Sequence, residues 1–168
     1  MTIQIRPSQW SDYPDLIAIE NQLWNESNTP QVVTYSSPEA YKVQYPVGTH
    51  LVAFSESEEK VVGFIGFHPP SHLKAHERTW IIDIGVDPTL QSSGVGKKLV
   101  DAVKEAAAKK DIHKLSLRVL GTNQRAVQFY QKNGFVIEGI LKEEFWLNNR
   151  FVDDILMSFT LKSKLNLL

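Results

Sequence analysis

The sequence predicts one domain of mixed α/β class, a sheet with helices on its faces, and three observations predict it. The stretch from Trp80 to Val119 reads as strand, helix and strand in succession, an order that implies parallel strands joined by a right-handed crossover. Leu51 to Phe54 and Val61 to Phe67 are β-rich runs parted by the polar stretch Ser55 to Lys60, the pattern of an antiparallel hairpin. The chain has 168 residues, the length of a single compact domain, and no repeat, low-complexity stretch or charge block divides residues 1–168.

Each element has its own local reason. Ile3 and Ile5 alternate against Gln4 and Arg6, so the chain opens with a strand. Ser11 stands as an N-cap ahead of Asp12, Pro14 and Asp15, residues suited to a first helical turn, and the helix it starts runs to Leu23 or Trp24. Ser37-Pro38-Glu39 starts a second helix, which reaches Tyr45 before Pro46 and Gly48 end it. After the hairpin, Pro69 to Glu77 is a polar loop holding His72 and His76, and Trp80 to Val86 is a strand stopped by Asp87-Pro88. From Gly94 to Lys110, Val95, Leu99, Val103 and Ala106 recur at helical spacing on one face, with Lys97, Lys98, Asp101 and Lys104 on the other. Leu115, Leu117 and Val119 alternate as a strand. Asn123 to Asn133 is a shorter helix closed by Gly134 in the left-handed conformation. Phe135 to Leu141 and Phe151 to Leu161 are the last strands, with Asn148-Asn149 at the turn joining them.

Composition removes several functional classes. Lys+Arg 18 against Asp+Glu 19 leaves a formal net charge of -1, which argues against a general nucleic-acid binder, whose affinity comes from clustered cations. No polybasic run would hold the chain on an anionic membrane, and no apolar run approaches the ~20 residues that span a bilayer. Met1 to Trp10 lacks the basic and then apolar pattern of a signal peptide, so the expected location is the cytoplasm. Cysteine is absent. Disulfides, Cys-based zinc sites and any route through an acylated cysteine are therefore excluded, and no metal is expected.

The segment richest in chemistry is Val86 to Lys97. A strand ends there, a short turn follows, and Gly94 and Gly96 sit at the mouth of the long helix. Unpaired N–H groups converge at a helix start, where the helix dipole also favours an anion. The two glycines let a phosphate approach the backbone, and Ser92 and Ser93 add hydroxyl donors. A pyrophosphate suits this cradle; a strand-to-helix loop with two convenient glycines is the bland alternative. A P-loop is ruled out because Gln91 stands where its first Gly belongs and Lys98 where Ser or Thr belongs. A dinucleotide fingerprint is ruled out because Leu99 replaces its third Gly.

Gln91-Ser92-Ser93-Gly94-Val95-Gly96 resembles the Gln/Arg-x-x-Gly-x-Gly/Ala pyrophosphate loop of the GNAT superfamily of N-acetyltransferases. Further on, Asn123-Gln124-Arg125-Ala126-Val127-Gln128-Phe129-Tyr130-Gln131-Lys132-Asn133-Gly134-Phe135 resembles that family's second motif, Asn-x-x-Ala-x-x-Phe-Tyr-x-x-x-Gly-Phe. The resemblance runs from Ile3 to Leu161. It implies a GNAT-like fold, a mixed sheet of about seven strands flanked by about four helices, with acetyl-CoA as co-substrate and a primary amine as acceptor. It also implies that the fourth and fifth strands splay apart, with the backbone of Ile84, Gly85 and Val86 pairing with the pantetheine arm. Amides from Gln91, Ser92, Ser93, Gly94, Val95 and Gly96 would hold the pyrophosphate, and Asn123 would hydrogen-bond the cofactor. Tyr130 would stand near the thioester sulfur. Asn123 and Tyr130 are seven apart, so within one helix they project from nearly the same face. A phenol, with an unperturbed pKa of about 10, can give a proton to a departing thiolate at neutral pH; a core aromatic beside Phe129 is the plain alternative. The tail Asn148 to Met157 is loosely similar to the bacterial branch that includes ribosomal-protein and amino-acid N-acetyltransferases.

The general base is left open. Trp80 and Ile82 occupy the inward positions of the fourth strand and cannot serve, while Asp83 falls on the opposite face unless the strand is irregular. Glu20, Glu26, His72 and His76 are the other candidates, each with a structural or solvated role as its alternative. Trp24, Tyr35, Tyr41, Phe145 and Trp146 form an aromatic supply that serves as acceptor pocket, as core or as homodimer contact. The acceptor itself, a free amino acid, a small amine or a peptide N-terminus, stays open. So does a non-catalytic acyl-CoA sensor as the rival reading.

Overall fold

The computed structural model describes residues 2–162. The strands are β1 (Ile3–Pro7), β2 (His50–Ser55), β3 (Lys60–His68), β4 (Thr79–Val86), β5 (Lys114–Leu120), β6 (Val136–Leu147) and β7 (Arg150–Thr160). The helices are α1 (Tyr13–Leu23), α2 (Pro38–Gln44), α3 (Val95–Lys109) and α4 (Gln124–Lys132). All seven strands join one mixed sheet in the order β1-β2-β3-β4-β5-β7-β6. The β4–β5 pair is parallel, as the crossover through α3 requires, and β1–β2, β2–β3, β5–β7 and β6–β7 are antiparallel. The residues pack as two compact units. One takes the described residues up to Trp24, then Val33–His68 and Ile82–Ala106; the other takes Asn25–Val32, Pro69–Ile81 and the described residues from Ala107 onward.

In the first unit the core is built by Tyr13, Leu16, Ile19, Tyr41, Val52, Val61 and Phe64. The start of α1 differs from the expectation at Ser11, which is exposed and caps nothing. A short 3-10 turn, Trp10–Asp12, precedes the helix, and buried Asp12 organises it by accepting the Gln9 N–H at 2.7 Å. Arg6 reaches the same carboxylate with both guanidinium nitrogens, at 2.7 and 2.8 Å. Burial alone would raise the Asp12 pKa, but the bonds from Arg6 and Gln9 outweigh it and hold the carboxyl below its ordinary value. An acid that closes a turn and pairs with a strand arginine outcompetes a serine that can only cap. Ser37 does cap α2, accepting the Ala40 N–H at 3.2 Å. On α3, Val95, Leu99, Val100 and Val103 are buried, and Ala107 is buried in place of half-buried Ala106.

The second unit carries β5, α4 and the β6–β7 hairpin. Asn148 and Asn149 turn it with φ of 50° and 58°, the left-handed pair that a two-residue hairpin needs. β6 runs to Leu147, beyond the expected Leu141, because a register shift between Leu141 and Phe145 absorbs the polar Lys142–Glu144 stretch. Glu143 sits there at φ 55°, its N–H held by Asp153 Oδ1 at 2.9 Å. At the end of α4, Gly134 N–H bonds the Gln131 carbonyl and Phe135 N–H bonds the Tyr130 carbonyl, both at 3.0 Å. This paired closure needs the left-handed Gly134, φ 86°, and sets Phe135 against the Tyr130 ring at 5.5 Å. Gly134→Ala therefore lowers stability by about 1–2 kcal/mol, read as a reduced midpoint in urea at unchanged slope. An unaltered midpoint would refute the role given to this turn.

Candidate functional site

The loop between β4 and α3 is a built turn. Asp87 accepts the Thr89 N–H at 2.9 Å and its hydroxyl at 2.7 Å, and faces Lys60 at 3.6 Å. Burial pushes the Asp87 carboxyl up, yet these partners together hold it below its ordinary value, so it stays charged. Ser93 closes back on Leu90 through both its N–H, 3.1 Å, and its hydroxyl, 2.5 Å. Ser92 and Gly94 are left-handed, with φ of 74° and 87°. The first carbonyl of α3 is that of Gly94, which takes the Lys98 N–H at 3.2 Å. Amides ahead of Lys98 have no carbonyl one turn back to bond. They gather at an exposed helix mouth, since Ser92, Ser93 and Gly94 are exposed while Val95 is buried and anchors the turn.

Along β4, the register with β5 covers Thr79↔Lys114, Trp80↔Leu115 and Ile81↔Ser116. Among the described residues no further β4–β5 pair follows, although β4 continues through Ile84, Gly85 and Val86.

In the second unit, Asn123 stands one residue outside α4 and caps it, its Oδ1 taking the Ala126 N–H at 3.2 Å. Its alignment with Tyr130 is thus that of a cap and a helix residue. Tyr130 is 7% exposed, with Phe129 at 5.3 Å and Phe135 at 5.5 Å between ring centroids. Glu26, His72 and His76 also belong to this unit. Glu26 and His72 are exposed, and His76 Nδ1 lies 2.7 Å from the Ser71 hydroxyl. Trp146 pairs with Phe151, rings 4.8 Å apart, and both are exposed.

The first unit unites Glu20, Asp83, Trp24, Tyr35 and Tyr41, and adds Tyr45 and His50, which sequence reasoning missed. Strand alternation holds as expected: Trp80 and Ile82 are buried on one side, and Asp83 lies on the other. That other side is where the acidic and aromatic groups collect. Glu20, 4% exposed, takes the Trp24 indole N–H on one oxygen and is met by the Tyr41 hydroxyl at 3.5 Å on the other. Burial raises the Glu20 carboxyl to about 7, opposed by the Trp24 bond and reinforced by the Asp83 charge. Burial likewise raises half-buried Asp83 to about 6, opposed by His68. The hydroxyls of Tyr41 and Tyr45 are pushed up by burial and then by these carboxylates, so both stay neutral. Burial lowers His50 to about 4, leaving it neutral as well. A lone Asp in the aliphatic run Trp-Ile-Ile-Asp-Ile was the signal in the sequence; His50 gave none beyond standing at a strand start.

Residues 6–135 match the Acetyltransferase (GNAT) family. The chain belongs to the GNAT family. This match takes in the Gln91–Gly96 loop and the α4 motif through Phe135. An uncharacterized N-acetyltransferase, YycN, of Bacillus subtilis is 26% identical over 147 residues, covering 80% of this chain and 93% of the relative. The crystal structure of smu.2055 from Streptococcus mutans is 28% identical with a TM-score of 0.85, covering 95% of this chain and 99% of that one. A GNAT phosphinothricin acetyltransferase from Sinorhizobium meliloti, solved in complex with AcCoA, shares the fold at a TM-score of 0.83 and 18% identity, over 96% and 89% of the two chains. The protein is thus a GNAT acetyltransferase with the GNAT sheet of seven strands. No helix among its described residues is long and apolar enough to cross a membrane.

Proposed function

We propose that this GNAT acetyltransferase binds acetyl-CoA and moves the acetyl group directly onto a primary amine in a ternary complex in the cytoplasm. The observation that carries the reading is the α3 mouth. There a left-handed Ser92 and Gly94 expose first-turn amides beside the end of β4, and such amides with the helix dipole favour a pyrophosphate. A Cβ at Gly94 would meet nothing within 4 Å, so the glycine serves the backbone conformation and leaves the approach open.

Acetyl-CoA supplies an acetyl group already activated as a thioester. Backbone amides of the Gln91–Gly96 loop would hold its pyrophosphate, save that of Ser93, which together with its hydroxyl is already bonded to Leu90, and Ile84, Gly85 and Val86 would pair with the pantetheine arm as an added strand. The Val86 N–H would polarise the thioester carbonyl oxygen, where negative charge grows. Asn123 fixes the arm with its side-chain amide. Tyr130 would donate its phenolic proton to the departing thiolate and regain one from solvent, to which the newly acylated nitrogen gives up its extra proton. The acceptor, a free amino acid, a small amine or a peptide N-terminus, must arrive unprotonated at the reacting nitrogen. Exposed Ile137, Ile140 and Leu141 on edge strand β6, with Trp146 and Phe151, favour a homodimer built on this hairpin.

Thermal unfolding with acetyl-CoA, CoA, ATP and NAD tests the reading. Acetyl-CoA and CoA at about 100 times their dissociation constants add ~2.7 kcal/mol and raise Tm, and ATP and NAD do not. Absence of a shift with either CoA species would sink it.

A further inference from the structure

We propose that the acceptor is a diamine without a carboxylate, and that Glu20, Asp83 and the ring of His50 hold the ammonium that does not react. This rests on the acetyl-transfer reading above and names its substrate class. The cluster lies wholly within the first unit. His50 is 1% exposed, and neither of its ring nitrogens has a hydrogen-bond partner among the described residues. Tyr45 and Phe64 enclose the ring, with centroids at 4.8 and 5.2 Å. A neutral imidazole always offers one lone pair and one N–H, and a fully buried group with neither used calls for a partner.

The direction in which that ring points is fixed by Gly66. A Cβ built there would stand 2.5 Å from Asp83 Oδ1 and 3.1 Å from His50 Nε2. The carboxylate oxygen and the ring nitrogen therefore converge over the same bare patch of β3. Asp83 is only half-buried, as are Trp24, Tyr35 and Tyr45, so the cluster is not sealed among fully buried side chains. Glu20 completes it, coupled electrostatically to Asp83 and to Tyr41 and Tyr45.

Charge decides what such a patch accepts. The groups acting on it are two carboxylates, the hydroxyls of Tyr35, Tyr41 and Tyr45, the neutral ring of His50, and exposed His68 beside Asp83. An ammonium brings donors only, and its charge is welcomed by carboxylates and by aromatic faces. An amino acid would bring its own carboxylate against Glu20 and Asp83. Spacing then separates this ammonium from the reacting nitrogen. Asp83 is three residues from Val86, or about 10 Å along β4, so one nitrogen sits on the carboxylates while another meets the thioester.

Three compounds with a common four-carbon skeleton test this: 1,4-diaminobutane, ornithine, which adds a carboxylate, and butylamine, which lacks the second ammonium. Calorimetric titration into the CoA complex, with CoA binding measured first, is expected to show 1,4-diaminobutane binding tenfold or more tighter than either of the others, as hydrogen bonds to charged groups allow. With acetyl-CoA and thiol release as the readout, kcat/KM follows the same order. Glu20→Gln and Asp83→Asn each bring the diaminobutane-to-butylamine ratio toward one, chiefly through KM, while CoA still raises Tm in both. Equal binding of diaminobutane and butylamine, preference for ornithine, or an unchanged ratio in both variants would overturn the proposal. Failure of CoA to bind would instead overturn the acetyl-transfer reading beneath it.

Discussion

Tyr130→Phe is expected to lower kcat by about 10²- to 10⁴-fold, the range that a positioned acid contributes. The ring contacts with Phe129 and Phe135, at 5.3 and 5.5 Å, are open to phenylalanine as well, and so is the closure of α4 through the Tyr130 carbonyl. Only the hydroxyl is lost. Acetyl-CoA affinity should therefore stay close to the parent value while turnover collapses. A loss shared equally by kcat and kcat/KM identifies an interaction made only in the transition state. Should kcat fall less than threefold with Tm intact, the buried tyrosine is a packing residue and the departing thiolate leaves without it.

The second large effect is a pH dependence of stability that belongs to Glu20. Its folded carboxyl titrates at about 7 against an ordinary 4.5, raised by burial. Between those values the folded protein keeps a proton that the unfolded chain has released. Stability due to this group is thus full below pH 4.5 and is lost as pH rises to 7. The size is about 3 kcal/mol, from a displacement of roughly 2.5 pKa units. Asp83, raised from 3.8 to about 6, acts in the same direction. His50 acts in the opposite one: lowered from 6.5 to about 4, it loses stability as pH falls through that window. Glu20→Gln removes one contribution and keeps the acceptor for Trp24. Measured by urea unfolding at pH 4.5 and 7.5, the variant should gain about 3 kcal/mol relative to the parent across that interval. A difference that is flat or reversed in sign would show that the folded protein favours the Glu20 carboxylate after all.

Much of the fold was legible because it is written in local terms. The alternation of Ile3 to Arg6, the Ser37 cap, the paired asparagines at 148–149 and the left-handed Gly134 each act over a few residues. The structure keeps every one of them. The same holds for the loop from Gln91 to Gly96, whose helix-mouth position follows from the strand before it and the amphipathic helix after it. Local logic failed where a distant partner intervened. Ser11 caps nothing because the chain first turns through Trp10–Asp12, a turn that Asp12 closes on Gln9 while also binding Arg6 on β1. β6 outran its expected end because Asp153 on β7 steadies the bulge at Glu143.

The acidic and aromatic cluster shows the boundary most clearly. By itself the sequence determined the family, the order of elements, the place of the glycine loop at the mouth of α3, and the face of β4 on which Asp83 lies. Each of these depends on spacing along the chain or on a helix or strand period. Only the tertiary structure decided that Glu20 of α1, Tyr41 of α2, Tyr45, His50 of β2 and Asp83 of β4 share one environment within a single packed unit. Residues 20 and 83 are brought together by folding the helix onto the sheet. Their raised pKa values come from the water that this packing excludes, and no spacing along a chain encodes how much water remains.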